Sequence, residues 1–388
     1  MIYSSPVYIT AAKRSPIGRL GGGLQSLSAT DLALPVAQSI IPNELKPAIQ
    51  QVILGQVLQA GSGMNVARQL GLRLGLPQAT PAYVVNMVCG SGMKAVALAA
   101  DAIASGESTL ALAGGVESMS QAPHYATALR TGCKLGHSSL VDAILADGLT
   151  DPVLNIGMGE TAERIVDSWA ISRVDQDAFA LRSQQLASAN RAALQREIVP
   201  IQIRDALIAH DEHPRADTTL EKLAKLKPVF RKEGSVTAGN SSGVNDGSAL
   251  LLLASEAAVK THHLTARARI IGTTAVGCDP ATMGLGPVHA IRRFCEETGW
   301  NLADVDAIEI NEAFAAQALA CARQLGLDPA RLNQRGGAIA LGHPVGCSGA
   351  RVLVTLLHLM EDLDLQRGIA SLCIGGGMGI AMAIERQA

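Results

Sequence analysis

The stretch VNMVCGSGMKAVALAADAIASG, residues 85–106, joins an apolar strand pattern to a helix pattern of small residues, with Cys89 at the junction. A second stretch, GCSGARVLVTLLHLM (346–360), aligns with CGSGMKAVALAADAI without a gap. The aligned positions include Ser91 with Ser348, Gly92 with Gly349 and Lys94 with Arg351. An apolar strand pattern ending in Gly-Gly follows each stretch at nearly the same distance. The likeness has two interpretations: chance among small residues, or a duplicated α/β domain whose halves pack together.

The patterns on either side of these stretches favour duplication. Strand patterns alternate with helix patterns at both ends of the chain, as in βαβ units. PAYVVNMV (81–88) is apolar on both faces, which predicts a buried strand. The middle of the chain is more polar, with a capping-box spacing at Ser172 and Asp175. We therefore predict an N-terminal half from 1–117 plus about 248–268, an inserted domain at 118–247 and a C-terminal half at 269–388.

The composition excludes several classes of function. The 388 residues are 48% hydrophobic and carry a net charge of −2, so no electrostatic footprint for nucleic acid or an anionic membrane is present. The longest apolar run, 248–258, covers about half of the roughly 20 residues that a membrane helix needs. The first 14 residues lack the basic start of a signal peptide. We expect a cytoplasmic protein with no nucleic-acid or membrane partner.

Cysteine usage narrows the role of Cys89. The seven cysteines are odd in number, widely spread and without a CxxC spacing, which argues against a structural zinc site. An unsecreted chain keeps its thiols reduced. Core packing and nucleophilic chemistry remain as interpretations. A helix N-terminus after Cys89 would favour its thiolate, the reactive form.

Three further residues lie at similar junctions between strand, loop and helix. His343 stands in a glycine-rich loop before the second small-residue helix, either as a base for a thiol or as a loop histidine. Cys373 ends a strand before three glycines, either as an acid/base or as core. Asn311 stands where a strand becomes a helix, either as a polar ligand or as an N-cap. Such junctions are the usual positions of active sites in α/β folds.

Taken together, these residues lie within sequence motifs that resemble the thiolase family over the whole chain. The motifs are AAKRSPIGRLGG (11–22), VILGQVLQAG (52–61), NMVCGSGMKAV (86–96), AGGVESMSQAPH (113–124), VTAGNSSGVNDGSA (236–249), NEAFAAQ (311–317), GGAIALGHPVGCSGAR (336–351) and LCIGGGMG (372–379). The resemblance implies a duplicated five-layer αβαβα fold with an inserted loop domain. It also implies a homodimer or homotetramer.

The resemblance assigns roles to individual residues. Cys89 is the acyl-accepting nucleophile, His343 activates it and helps bind the thioester oxygen, and Cys373 carries the proton of the α-carbon. Asn311 holds a water beside His343 in one oxyanion hole, and the N–H groups of Cys89 and Gly375 form the other. The implied coenzyme A contacts are Leu149, Met158, Ser242, Met283 and Phe314. Coenzyme A thioesters are then substrates, and no metal or prosthetic group is implied.

Two positions depart from the family pattern. The segment 142–164 resembles the pantetheine loop of the acetoacetyl-CoA-forming type, but Gly157 replaces the usual histidine, which enlarges the acyl pocket. Arg335 replaces a usual asparagine and either changes the hydrogen bonds behind His343 or faces a subunit interface. A basic stretch comprising Lys222, Lys225, Lys227, Arg231 and Lys232 either meets coenzyme A phosphates or forms a solvated face.

The function implied is the reversible condensation of two acetyl-CoA to acetoacetyl-CoA and free coenzyme A. A thiolase of longer chain range is the alternative within the fold. A decarboxylating ketoacyl synthase fits less well because such enzymes lack a cysteine placed like Cys373. A silent coenzyme A-binding protein would not need all four of Cys89, His343, Cys373 and Asn311.

Overall fold

The computed structural model describes residues 1–387. The strands are β1 Ile2–Arg14, β2 Gly18–Arg19, β3 Gln51–Gly55, β4 Ala82–Val85, β5 Leu110–Ser118, β6 His124–Tyr125, β7 Val141–Asp142, β8 Thr150–Asp151, β9 Ile156–Gly157, β10 Ile201–Ile203, β11 Ala206–Ile208, β12 Asn245–Ser255, β13 Ala268–Gly277, β14 Ala307–Ile310, β15 Arg367–Ile374 and β16 Met378–Arg386. The α-helices are α1 Ala29–Ile40, α2 Val66–Leu74, α3 Ser91–Ala104, α4 Met158–Trp169, α5 Arg173–Ala189, α6 Arg191–Gln195, α7 Leu220–Ala224, α8 Glu256–Thr261, α9 Gly286–Thr298, α10 Ala315–Leu325, α11 Ala338–Leu341 and α12 Val345–Asp362.

The two halves share one ten-stranded sheet. Its order is β14-β15-β16-β13-β1-β12-β5-β3-β4, with β2 paired to β12. Strand β1 joins the halves because its 13 residues pair with β12 on one edge and with β13 on the other. Within each half the strands next to the edge run parallel, and the remaining ladders are antiparallel.

Three helical layers accompany the two halves of the sheet, which confirms the predicted five-layer α/β fold. Helices α1 and α2 pack on the N-terminal strands, and α9 and α10 cover the C-terminal strands. Between the halves lie α3 and α12, in a core of aliphatic side chains drawn from both. Because a central helix meets a sheet on either side and another helix beside it, the small residues of both stretches are needed for packing.

The aligned glycines mark the closest approach of α3 and α12. A Cβ on Gly92 would lie 2.8 Å from the backbone nitrogen of Ala350, and one on Gly349 would lie 2.4 Å from that of Met93. Any side chain at either position would collide with backbone of the facing helix. The repeated small residues therefore have a physical reason beyond chance, because each glycine leaves the space that the backbone of the facing helix occupies.

Strand β4 corrects one expectation from the sequence. The stretch 81–88 was expected to form a buried strand, yet β4 ends at Val85 and lies at the edge of the sheet, paired only with β3. Tyr83 on this strand is 40% exposed. The side chains of β4 are half-buried or exposed, because this strand has a neighbour on one edge only and no strand lies beyond it among residues 1–387.

The segment between β5 and β12 leaves the sheet at Ser118 and returns to it at Asn245. It contains α4 to α7, and Ser172 caps α5 by accepting from the Asp175 N–H, as its spacing predicts. The three-part division of the chain stays a prediction. Within residues 1–387, no helix is both long and apolar enough to cross a membrane.

Candidate active site

A cavity of about 340 Å³ lies between the inserted segment and the N-terminal ends of the two central helices. Cys89 and His343 both line it, which brings together two residues that are 254 positions apart in the chain. All five of the predicted coenzyme A contacts also line it: Leu149, Met158, Ser242, Met283 and Phe314. Its wall is mostly apolar, with few polar groups, as is usual for a small-molecule site.

Cys89 stands on a strained turn between β4 and α3. The preceding Val88 has a φ of +45°, a left-handed conformation that is unfavourable for a β-branched residue. The Ser91 hydroxyl stabilises the turn, since it accepts from the Met87 N–H at 2.8 Å and donates to the Val88 carbonyl at 2.7 Å. The Asn86 side chain accepts from the Val88 N–H at 2.9 Å. These hydrogen bonds hold the thiol at the start of α3, in a geometry similar to a nucleophile elbow.

The ionisation of Cys89 corrects a second expectation. Burial raises the pKa of the thiol to about 11, and the nearby Glu117 raises it too. Hydrogen bonding from the N–H groups of Gly375 and of Cys89 itself lowers the pKa by less. The helix N-terminus therefore does not leave a thiolate at neutral pH, because removal from water outweighs it. A base is needed to take the proton as the sulfur attacks.

His343 has its tautomer fixed by α12. The Ser348 hydroxyl donates to the Pro344 carbonyl at 2.9 Å, so it accepts from Nδ1 of His343, 2.5 Å away. With the hydrogen on Nδ1, Nε2 carries the lone pair, and among the described residues it has no hydrogen-bond partner. Burial, aided by the charge of Arg351, lowers the pKa of His343 to about 3. The imidazole is therefore neutral and has a free acceptor.

Cys373 and Gly375 come from the other half, at the end of β15. Cys373 is fully buried beside Met283 and Phe314 of the cavity wall. Burial raises the pKa of its thiol well above the usual range, and the neighbouring Cys89 raises it further. The turn that follows contains Gly376 and Gly377 at φ values of 84° and 83°, which turn the chain back into β16. This turn brings the Gly375 N–H close enough to the Cys89 thiol to lower its pKa.

The structure rejects the interpretation of Asn311 as an N-cap. Helix α10 begins at Ala315, four residues later, with Phe314 as its N-cap residue. Asn311 is buried just beyond β14, and its N–H donates to the Ser371 carbonyl. Its Oδ1 accepts from Arg351, whereas its Nδ2 has no partner among the described residues. A buried amide nitrogen without a partner is a donor available to a ligand.

The wall beside Gly157 is open. A Cβ on Gly157 would have only the Leu149 carbonyl near it, at 3.9 Å. By contrast, a Cβ on the neighbouring Gly159 would lie 2.2 Å from the ring of Phe230. Phe230 packs edge-to-face on Phe314, with ring centroids 6.0 Å apart. The cavity thus has a closed aromatic wall and an open side at Gly157.

The basic stretch is only partly available to a ligand. Arg231 forms ion pairs with Glu160 and Asp167, and Lys222 forms one with Asp217. Lys225, Lys227 and Lys232 are exposed and have no ion pair among the described residues. The solvated-face interpretation therefore fits Lys222 and Arg231.

Arg335 is only 2% exposed and forms an ion pair with Asp362, which also pairs with Arg196. The Arg335 side chain lies in the interior of the subunit, so it does not face a subunit interface. Within residues 1–387 no group of three or more His, Cys, Asp or Glu side chains is arranged to hold a metal ion.

Sequence reasoning missed the roles of Ser348, Arg351 and Phe230. The first two stood in the aligned repeat, and their register three residues apart places them on one face of α12. That register, with His343 just before the helix, was the available signal. Phe230 lies within the basic stretch, whose charges drew the interpretation. It is one of only four phenylalanines in the chain, and that scarcity was the available signal.

Comparisons with known proteins agree with this site and fold. The family model for the thiolase N-terminal domain matches residues 7–257, and that for the C-terminal domain matches residues 264–386. The chain therefore belongs to the thiolase family, and it is an acyltransferase. Coenzyme A thioesters are the substrates of that family.

Individual relatives are similar over their whole length. An acetyl-CoA acetyltransferase of Pseudomonas aeruginosa is 49% identical, with 98% of this chain and 99% of the relative covered. A solved Bacillus anthracis acetyl-CoA acetyltransferase has a TM-score of 0.96 at 45% identity, with both chains fully covered. Human mitochondrial 3-ketoacyl-CoA thiolase, solved in complex with CoA, has a TM-score of 0.96 at 42% identity, covering 100% of this chain and 99% of that one.

Proposed function

We propose that the protein is an acetyl-CoA C-acetyltransferase, which joins two acetyl-CoA into acetoacetyl-CoA and free coenzyme A. The observation that carries the proposal is the cavity that Cys89 and His343 line together, in which Nε2 of His343 has no hydrogen-bond partner among the described residues. The names of the relatives support the acetyl group as the unit transferred.

In the first step the Cys89 sulfur attacks the thioester carbonyl, and His343 Nε2 takes the thiol proton. The N–H groups of Cys89 and Gly375 bind the oxyanion, where one donor contributes about 10²–10³ in rate. The carbon–sulfur bond to coenzyme A breaks, and His343 passes the proton to the departing thiolate. The product is an acetyl-Cys89 intermediate, so the kinetics are of the ping-pong type.

In the second step a second acetyl-CoA loses a proton from its α-carbon to Cys373, whose own proton has moved to His343. His343 and the water held by Asn311 stabilise the enolate oxygen. The enolate carbon then attacks the acetyl carbonyl, a carbon–carbon bond forms, and Cys89 leaves and recovers the proton from His343. Leu149, Met158, Ser242, Met283 and Phe314 hold the pantetheine arm.

The test is the intact mass of the protein after brief exposure to acetyl-CoA. We expect one acetyl adduct that maps to Cys89 and is absent from the Cys89→Ser variant. Cys133→Ser removes an exposed thiol that does not line the cavity and serves as the matched control, with the adduct retained. No adduct, or an adduct on another cysteine, would refute the proposal.

A second candidate is a 3-ketoacyl-CoA thiolase of longer chain range, and the open side of the cavity at Gly157 favours it. Thiolysis rates from C4 to C10 substrates separate the two candidates: a steep fall beyond C4 supports the acetyl-specific enzyme. Gly157→His would fill the open side and lower the C8-to-C4 rate ratio by about tenfold, as a few carbon atoms in an apolar pocket do. Gly157→Ala is the control, since its backbone φ of −69° accepts alanine without strain.

We also propose the partners, the location and the assembly of the enzyme. Acyl-CoA and coenzyme A are its partners in the cytoplasm, with no metal, prosthetic group, nucleic acid or membrane. Residues 118–247 act as the inserted domain between the halves 1–117 plus 248–268 and 269–388. A homodimer or homotetramer is supported by the exposed leucines Leu129, Leu135 and Leu140. Light scattering after size-exclusion chromatography tests this assembly.

A further inference from the structure

Arg351 is a buried cation that the proposed chemistry leaves unused. It lies in α12 and is 1% exposed. Its Nη2 donates to Oδ1 of Asn311 at 3.4 Å, while its Nε and Nη1 have no partner among the described residues. A buried guanidinium costs several kcal/mol in desolvation, so its retention at this place calls for a reason.

The chemistry of arginine fixes the orientation of Asn311. A guanidinium has only donors, so the atom of Asn311 that faces it must be the amide oxygen. The amide nitrogen of Asn311 must then face the opposite way. An amide without such a neighbour could present either its oxygen or its nitrogen to the water beside His343, and only a water that accepts from the nitrogen keeps both of its hydrogens for the thioester oxygen.

One turn of α12 therefore contacts both side chains of the proposed oxyanion hole. Ser348 accepts from Nδ1 of His343, and Arg351, three residues later on the same face, donates to Asn311. Arg351 also acts on His343 through its charge, which lowers the pKa of that imidazole.

The charges around Arg351 come from several elements. Glu309 lies in β14, two residues before Asn311, and it attracts the guanidinium, as do Glu197 and Glu312, whereas Arg14 repels it. These groups hold the cation between the strand and the helix. Among the described residues, Asn311 is the side chain to which it donates.

We propose that Arg351 is a positioning residue, which orients the Asn311 amide so that its N–H groups face the water beside His343 in the proposed oxyanion hole. The proposal rests on the proposed function of Asn311. It predicts that removing Arg351 harms catalysis only as long as Asn311 is present to be misoriented.

The test is a double-mutant cycle on the turnover number for condensation, with Asn311→Ala and Arg351→Met as the single variants. We expect Arg351→Met to lower kcat by about tenfold or more in the wild-type background, as loss of part of an oxyanion hole does. In the Asn311→Ala background the same change should lower kcat by less than about threefold. Equal factors in the two backgrounds would overturn the proposal.

Two further variants make the cycle decisive. Arg351→Lys keeps a donor and should retain more activity than Arg351→Met; it also replaces that variant in the cycle if the methionine variant does not fold. Arg335→Met removes another buried arginine, one that does not contact Asn311, and its effect should be the same in both backgrounds. Non-additivity at Arg335 equal to that at Arg351 would mean a general structural effect and would overturn the proposal.

The acetylation assay separates this proposal from the proposed function. If the wild-type protein forms no acetyl-Cys89, the proposed function fails and the positioning role fails with it. If the adduct forms and the cycle is additive, only the positioning role fails.

Discussion

Helix α3 with the loop before it and helix α12 with the loop before it are built alike and used differently. Both helices begin after a short loop, and both carry a serine at the aligned position. Ser91 bonds only to backbone atoms and holds the turn that presents Cys89. Ser348 bonds to a side chain and fixes the tautomer of His343. In the proposed mechanism the aligned hydroxyl is therefore structural in the first half and orients the base in the second.

The strands after the two helices differ in the same way. In β5, Gly114 and Gly115 lie inside the strand, paired to β12 on one side and to β3 on the other. The equivalent strand β15 ends at Ile374, so Gly375 keeps its N–H for the Cys89 sulfur. Cys373 stands where the aligned β5 has Leu112. In the proposed mechanism, one half therefore supplies the nucleophile, and the other supplies the base, the second acid and a hydrogen-bond donor.

The largest expected effect comes from Cys373→Ser, which tests whether the second half provides the residue that exchanges the α-carbon proton. Condensation should fall by about 10²–10⁴, since a serine hydroxyl is too weak an acid to exchange the α-carbon proton. Acetylation of Cys89 should stay within a few-fold of wild type, as followed by quenched-flow mass spectrometry. Cys321→Ser, a change at another buried thiol of this region, is the control and should leave both steps in place. Equal loss of both steps in Cys373→Ser would contradict this division of labour.

The paired variants Ser348→Ala and Ser91→Ala test the divergence of the two serines directly. Ser348→Ala frees the tautomer of His343 and should lower kcat by about 10-fold to 100-fold. Ser91→Ala leaves the Met87 N–H without its acceptor and should cost about 1–3 kcal/mol in the free energy of unfolding. Steady-state rates and urea unfolding of both variants give the comparison. The serines would be equivalent if both variants showed the same ratio of activity loss to stability loss.

The smallest effect concerns acid stability, to which His343 contributes and its counterpart Cys89 does not. The pKa of His343 is about 3 in the folded protein, against about 6.5 in the unfolded chain. As pH falls below 6.5, the unfolded chain binds a proton that the folded protein refuses, so stability falls. Between pH 7.5 and 4.5 the wild type should lose about 2–3 kcal/mol more of its free energy of unfolding than His343→Gln.

The control for this measurement is His289→Gln, which changes an exposed histidine on α9. Its unfolding free energy should follow the wild type at every pH. Parallel curves for the wild type and His343→Gln would mean that His343 is not held neutral by burial.

Much of the fold was predictable because it depends on local pattern. Ser172 caps the helix that its spacing indicated, and the aligned Gly92 and Gly349 marked the contact between the central helices. The edge position of β4 was not predictable, since an apolar run of residues does not say how many neighbours a strand has. The single ten-stranded sheet was equally hidden, because β1 forms it by pairing with strands from both halves.

The candidate site shows the same division between what local sequence predicts and what only the tertiary structure decides. The sequence by itself determined which residue types stand at the junctions of strand and helix: Cys89, Asn311, His343 and Cys373. These residue types can be identified without knowing the distances between them, because the chemistry of a thiol, an imidazole or an amide is a property of the side chain itself. Tertiary structure decided their states. Burial keeps the Cys89 proton in place and His343 neutral, Ser348 fixes the tautomer, and Arg351 orients an amide, because desolvation and hydrogen bonding depend on neighbours brought from the other half of the chain.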